Sequence, residues 1–348
     1  MDGMDAIDKL IVNSLQEEVP LVTRPFATIG APHGLTEEEV LARLAAIKDL
    51  HVVRQISAIF DTRTLGYHSS LVAMRTRPED ELHAAHVLNG HPGVSHNYKR
   101  NHDFNLWFTI AVPALSSLTR TVDALHEEAG AISTRMLPTL RLFKIGVTLD
   151  LTGAEDPARQ SNPAYGEFRR PAAPLPLSKE DIAWICVLQE DMPLVPRPFA
   201  QLAGGIGRSE EELFAWARGA MERGQLRRLA AVLHHRKAGF RANGMAVWQV
   251  PEDRVEAVGN RMARFTAVSH CYQRPTYADW PYSVFSMIHA RTTEECEGVA
   301  EAIAAETGIK DRAMLYSSTE YRKVRLRYFT PEFDAWEALH LSHMAPVS

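Results

Sequence analysis

VSHNYKRNHDFNLWFT, Val94 to Thr109, is the stretch that decides how this chain is read. It gathers two histidines, two basic residues and four aromatic rings. Successive strand residues point to opposite faces, so His96, Tyr98 and Arg100, two apart, would share one face. Asn101-His102-Asp103 has turn composition, and Phe104 to Val112 resumes as a run rich in aromatic and β-branched residues. The pattern is a hairpin that aims an imidazole, a phenol and a guanidinium at one place. VSHCYQR, Val268 to Arg274, repeats the order with His270, Tyr272 and Arg274.

The repeat extends well beyond this motif. LQEEVPLVTRPF from Leu15 reappears as LQEDMPLVPRPF from Leu188, an offset of 173 residues. The register holds from Glu37-Glu38-Glu39 to Glu210-Glu211-Glu212, and from Gly66 to Gly239. After the second motif, extra residues intervene from Pro275 to Trp280. Self-similarity at this period marks a duplication or fusion of two related halves.

Each half opens with helical signals. Ile7, Leu10, Ile11 and Leu15 recur at helical spacing, Pro25 to Ile29 suits a short second helix, and Thr36 with Glu39 forms a capping box ahead of Val40, Leu44 and Ile47. With Val52 to Ile56 these predict a winged helix-turn-helix. The pattern βαββαβ follows. Strands are expected near 67–75, 94–100, 104–112 and 139–149, with helices near 78–89 and 115–128. The second half predicts strands near 240–249, 267–273, 283–290 and 321–329, and helices near 252–263 and 293–306. That order is ferredoxin-like. The expected class is therefore α+β, in two tandem repeats, each a winged helix-turn-helix followed by a ferredoxin-like module. The domains are 1–60, 61–151, 178–233 and 234–340, with a Pro-rich linker at 152–177. The two ferredoxin-like modules are expected to dock as an internal pseudo-dimer through their sheets. Whether two chains then form a homodimer is a separate question.

Composition narrows the function. The 348 residues are 45% hydrophobic and 23% charged, with a net charge of −5, so no basic footprint for nucleic acid or an acidic membrane is present. Three scattered cysteines form no CxxC pair, no apolar run is long enough to span a bilayer, and no signal-peptide pattern is seen. A cytoplasmic protein is expected. A winged helix invites DNA, but recognition helices meet DNA at their N-terminal residues, and here those are two glutamate triplets that would face phosphate. DNA binding is therefore not expected. His83 and His86 lack further ligands at zinc spacing and read as solvated helix residues. No Gly-x-Ser-x-Gly elbow supports a nucleophilic triad. Acid–base chemistry on an anionic ligand remains. His96 and His270 can deliver a proton near neutral pH, Arg100 and Arg274 can grip a carboxylate bidentately, and Tyr98 and Tyr272 can hydrogen-bond or stack. Lys144, Tyr321 and Lys323 lie on the last strand of each half. The plainer reading of the paired motifs is a polar sheet face where the halves meet, and Trp107 and Trp280 suit a core or a pocket wall.

LQxxxPLVxRPF and the module after it resemble the Lrp/AsnC architecture. HNYKRNHDFNLWFT with RLFKIGVTLDL, and HCYQRPTYADWPYSVFSMIHA with EYRKVRLRYF, resemble the two subunit types of the siroheme decarboxylases (AhbA/AhbB), here fused as in the NirDL type. The resemblance covers almost all of both halves. It implies a carboxy-lyase that removes CO2 from acetate side chains on two pyrrole rings of siroheme, giving didecarboxysiroheme on a route to heme d1 or through the alternative heme pathway. It implies His96, His270, Arg100 and Arg274 as catalytic residues, and Tyr98, Tyr272, His102, Lys144, His289, Tyr321, Lys323 and Trp107 as substrate contacts. No cofactor is implied, because the macrocycle is its own electron sink. No metal is held by protein alone, though His96 or His270 would suit an axial ligand of the substrate iron. The competing class is a tetrapyrrole-sensing regulator of Lrp/AsnC type. The halves differ where Asn97 meets Cys271 and Lys99 meets Gln273, and His289 has no counterpart in the first half.

Overall fold

A computed structural model describes residues 3–145, 174, 176–233 and 242–342. The expected linker at 152–177 lies almost wholly outside the described residues. The chain divides into two compact units: one gathers the helical segments of both halves, the other both αβ modules.

The helical unit comprises α1 (Ala6–Glu17), α2 (Pro25–Gly30), α3 (Glu37–Asp49) and β1 (Val53–Phe60), and then α6 (Lys179–Leu188), α7 (Pro198–Gly204), α8 (Glu210–Glu222) and β7 (Leu226–Leu233). Pro25 and Pro198 stand in the first turns of α2 and α7, where a missing N–H costs nothing. Asp5, Thr36, Ser178 and Ser209 each close a capping box. The residues repeated in sequence are the core: Leu15, Phe26, Leu188 and Phe199 are buried with Leu44 and Leu213. The two copies join through antiparallel pairing of β1 with β7, Ile56 opposite Ala231 and Ala58 opposite Leu229. The glutamate triplets have structural work. Glu37 and Glu210 are buried and ion-paired to Arg24 and Arg197, and Glu39 and Glu212 complete the capping boxes.

The αβ unit is one nine-stranded sheet, in the order β5-β2-β4-β3-β11-β8-β10-β9-β6. The first half supplies β2 (His68–Arg75), α4 (Glu81–Gly90), β3 (Val94–Arg100), β4 (Leu106–Val112), α5 (Leu118–Glu128), β5 (Ser133–Leu137) and β6 (Arg141–Ile145). The second supplies β8 (Ala242–Trp248), α9 (Val255–Met262), β9 (Val268–Gln273), β10 (Val284–Ala290), α10 (Thr293–Thr307), β11 (Arg312–Lys323) and α11 (Glu332–His340). Each half ends by crossing into the other. β11 pairs first with β8 of its own half and then with β3 of the first, while β5 pairs with β2 and β6 with β9. The first half makes this crossing in two strands because Pro138, which has no N–H to donate, interrupts them.

Two findings differ from expectation. The sequence pattern predicts the last strand of the second half near 321–329. It runs instead over Arg312–Lys323, because the polar run Ser317–Glu320 finds its partners on β3 of the other half. The C-terminal helix α11 carries no strong sequence signal, yet its Trp336 joins the first-half core beside Phe108 and Val94 and meets the His91 ring at 4.4 Å.

Three clusters make up the core of this unit. One lies under α9 and α10, one under α4 and α5, and the third joins the two halves through Ala73, Phe104, Trp107, Leu137, Met245, Val247, Trp280, Phe285 and Leu315. Helices therefore cover one face of each half-sheet, and the other faces meet. Among the described residues no helix is long and apolar enough to cross a membrane.

Candidate active site

His96, Tyr98 and Arg100 share the face turned to the joint core. Tyr98 lies opposite Trp107, and the His96 and Tyr98 rings stand 6.1 Å apart. The Arg100 guanidinium lies 5.8 Å from the Tyr98 ring centre. A register irregularity between Val94 and His96 turns Val94 the other way, under the helices. The second half repeats the arrangement. Tyr272 lies opposite Phe285, the His270 and Tyr272 rings are 6.0 Å apart, and Arg274 sits 4.8 Å from the Tyr272 ring centre. The serine before each histidine reaches its Nδ1, Ser95 Oγ at 3.0 Å and Ser269 Oγ at 2.8 Å.

The arginines are the unusual members. Arg100 and Arg274 are 6% and 8% exposed, and neither has a carboxylate partner among the described residues. Arg100 donates to the Leu315 carbonyl at 2.8 Å, and Arg274 donates to the Leu137 carbonyl. Each therefore bonds the crossing strand of the matching position. Each Nε is buried and makes no hydrogen bond among the described residues. Burial pulls both guanidinium pKa values down to about 10, so both stay charged at neutral pH. A buried cation without a counterion is costly, and an anionic ligand would relieve that cost.

The other candidates divide. Lys323 lies opposite His96 in the β11–β3 register and joins its face. His289 shares its face with Met287, which lies opposite His270, and its Nδ1 stands 2.7 Å from Asn243 Oδ1. His102 occupies the β3–β4 turn, where its Nδ1 accepts the Phe104 N–H and its ring meets Trp280 edge-on at 5.2 Å. Burial lowers its pKa. Trp107 is buried in the joint core, its indole N–H donated to the Phe104 carbonyl at 2.7 Å.

Lys144 and Tyr321 are not brought to these faces. Lys144 lies opposite Cys271, on the helix side, and donates to the Phe265 carbonyl at 2.8 Å. Burial lowers its pKa to about 8. Tyr321 donates to Glu81 Oε1 at 2.6 Å and packs against the first-half helices. Both follow from irregularities in register, between Leu142 and Lys144 and between Glu320 and Arg322, that regular alternation does not foresee. One residue escaped sequence reasoning. Asn243 becomes relevant only through the register that sets it opposite His289. Trp280, in the inserted segment, is fully buried against Phe104, Trp107 and Phe285. Its core position agrees with the reading of Trp280 as a core or pocket-wall residue. Among the described residues no cluster of three His, Cys, Asp or Glu could hold a metal ion.

The modules match the AsnC-like ligand binding domain over residues 64–144 and 237–322. The helical segments match the siroheme decarboxylase NirDL-like HTH domain over 8–54 and 181–227. A siroheme decarboxylase from Hydrogenobacter thermophilus is 41% identical over 327 residues, spanning 94% of this chain and 96% of that protein. The chain belongs to the siroheme decarboxylase family. Within that family, the siroheme decarboxylase beta subunit of Methanosarcina barkeri is 41% identical over 43% of this chain and 99% of its own length. What is a separate subunit there is one half of a fused chain here. The crystal structure of the siroheme decarboxylase NirDL in complex with an iron-uroporphyrin III analogue superposes with a TM-score of 0.74 at 35% identity, covering 98% of this chain and all of that one.

Proposed function

We infer that this protein is a siroheme decarboxylase, a carboxy-lyase that removes CO2 from acetate side chains on two pyrrole rings to give didecarboxysiroheme. The observation that carries the reading is the pair of buried arginines, Arg100 and Arg274, each on a face with a histidine and each without a carboxylate partner among the described residues. A polycarboxylate macrocycle supplies such partners. In this reading Arg100 and Arg274 take its carboxylates, and Tyr98 and Tyr272 pack against it. His96 and His270 present Nε2 to it as proton donor or as a ligand to the substrate iron. When an acetate loses CO2, the electron pair left on the methylene carbon is delocalised by the conjugated ring, and a histidine N–H protonates that carbon to methyl. No further cofactor is called for.

The siroheme-sensing regulator would need helices free to meet DNA. Glu37, Glu39, Glu210 and Glu212 occupy those helix starts and are committed to caps and ion pairs. Anaerobic incubation with siroheme, with CO2 collected from the headspace, tests the enzyme. Stoichiometric release supports it. Tight siroheme binding without CO2, together with retardation of DNA at low salt, would favour the regulator.

A further inference from the structure

The two matching sites differ in what surrounds the histidine. Opposite His96 stand Lys323 on one neighbouring strand and Thr109 on the other. Opposite His270 the same positions hold Ile145 and Met287. One step further along the face, the first half has Ala111 opposite Ser69, and the second has His289 opposite Asn243. One histidine therefore stands beside an ammonium and a hydroxyl. The other shares the tyrosine and arginine of its own strand but has apolar side chains in both cross-strand positions, with a second imidazole further along the face.

These surroundings suit different tasks. An ammonium beside a carboxylate stabilises the anion as it stands, which aids binding and opposes its conversion to neutral CO2. Apolar cross-strand neighbours in place of the ammonium favour, by comparison, the charge-dispersed transition state over the localised carboxylate. His270 must also regain a proton after each turnover. Asn243 Oδ1 can only accept, so the 2.7 Å contact places the His289 hydrogen on Nδ1 and leaves Nε2 to accept and pass a proton.

We propose that the halves divide the reaction: the His270 site breaks the C–C bond, with His289 as the positioned imidazole that recharges His270, and the Lys323–His96 site grips the carboxylates of the same substrate. This rests on the siroheme reading above. The acetate C–C bond breaks and CO2 leaves. Its electron pair stays on the methylene carbon until His270 Nε2–H protonates it, and a solvent proton crossing His289 restores His270. One proton is consumed per CO2. The second acetate reaches the same site when the substrate is rebound in a turned orientation.

The test is anaerobic steady-state decarboxylation of siroheme across a pH series, with binding followed separately by absorbance titration. His289→Gln should lower kcat by roughly ten- to a hundredfold and displace the pH profile of kcat, with siroheme affinity changed less than about twofold. Asn243→Ala should show the same trend more weakly. It also guards against a folding defect in His289→Gln, because unaltered siroheme binding certifies the site. Lys323→Met should place its main loss in KM, roughly tenfold. If Lys323→Met instead lowers kcat while His289→Gln and Asn243→Ala leave kcat and its pH profile unmoved, the division is overturned. If the unaltered protein releases no CO2, it is the siroheme reading that falls.

Discussion

Arg274 lies over Tyr272, its guanidinium carbon 4.8 Å from the ring centre, and donates to the Leu137 carbonyl of the other half. Arg100 stands in the matching place against Tyr98 and Leu315. Both charges are buried, and neither meets a carboxylate among the described residues. Replacing such a group by an apolar side chain of similar volume removes a desolvation cost along with one hydrogen bond. Arg100→Met and Arg274→Met should therefore change unfolding free energy by less than about 2 kcal/mol. Siroheme affinity should fall at least about tenfold for each, because truncating one member of a buried charge pair costs about 2 kcal/mol or more. Denaturant titration of the free protein beside absorbance titration with siroheme checks both halves of this statement.

Acid should loosen the docking of α11. His91 is 1% exposed, accepts the Gly93 N–H at 2.9 Å and packs on Trp336. Burial, aided by the charges of His340 and Arg322, lowers its pKa from 6.5 to about 3. Between those values the unfolded chain holds a proton that the folded chain refuses. Its contribution is complete above 6.5 and is lost as pH falls through the window, with a slope of at most about 1.4 kcal/mol per pH unit. His91→Gln should flatten the dependence of the urea midpoint on pH between 6.5 and 4. An unchanged slope in that variant would assign the acid sensitivity to other groups.

The joint core should be sensitive at the inserted segment. Trp280 is fully buried and touches rings from both halves. Trp280→Ala should cost about 3–5 kcal/mol through lost burial and the cavity left behind. Thr36→Ala and Ser209→Ala, which remove caps in the helical unit, should cost only about 1 kcal/mol each. Thermal unfolding of the three variants gives the ranking.

The parts of this structure that obey short-range periodicity were legible in the sequence. Leu15 and Phe26 recur as Leu188 and Phe199 because each copy needs the same core, and His96-Tyr98-Arg100 share a face because strands alternate. What escaped depends on pairing between distant segments. One-residue irregularities at Phe143 and Tyr321 invert the alternation, and so carry Lys144 and Tyr321 to the helix side. The span of β11 is set by β3, more than two hundred residues earlier, and not by its own pattern. Asn243 is an ordinary strand-edge residue until the β8–β10 register puts it against His289.

Mass spectrometry of the tetrapyrrole recovered after anaerobic incubation of the protein with siroheme tests the decarboxylation most directly. Successive loss of one and then two CO2 masses is expected with the unaltered chain, and recovery of intact siroheme with His270→Ala even when siroheme is bound. Siroheme bound by the unaltered protein and returned at its original mass would contradict it.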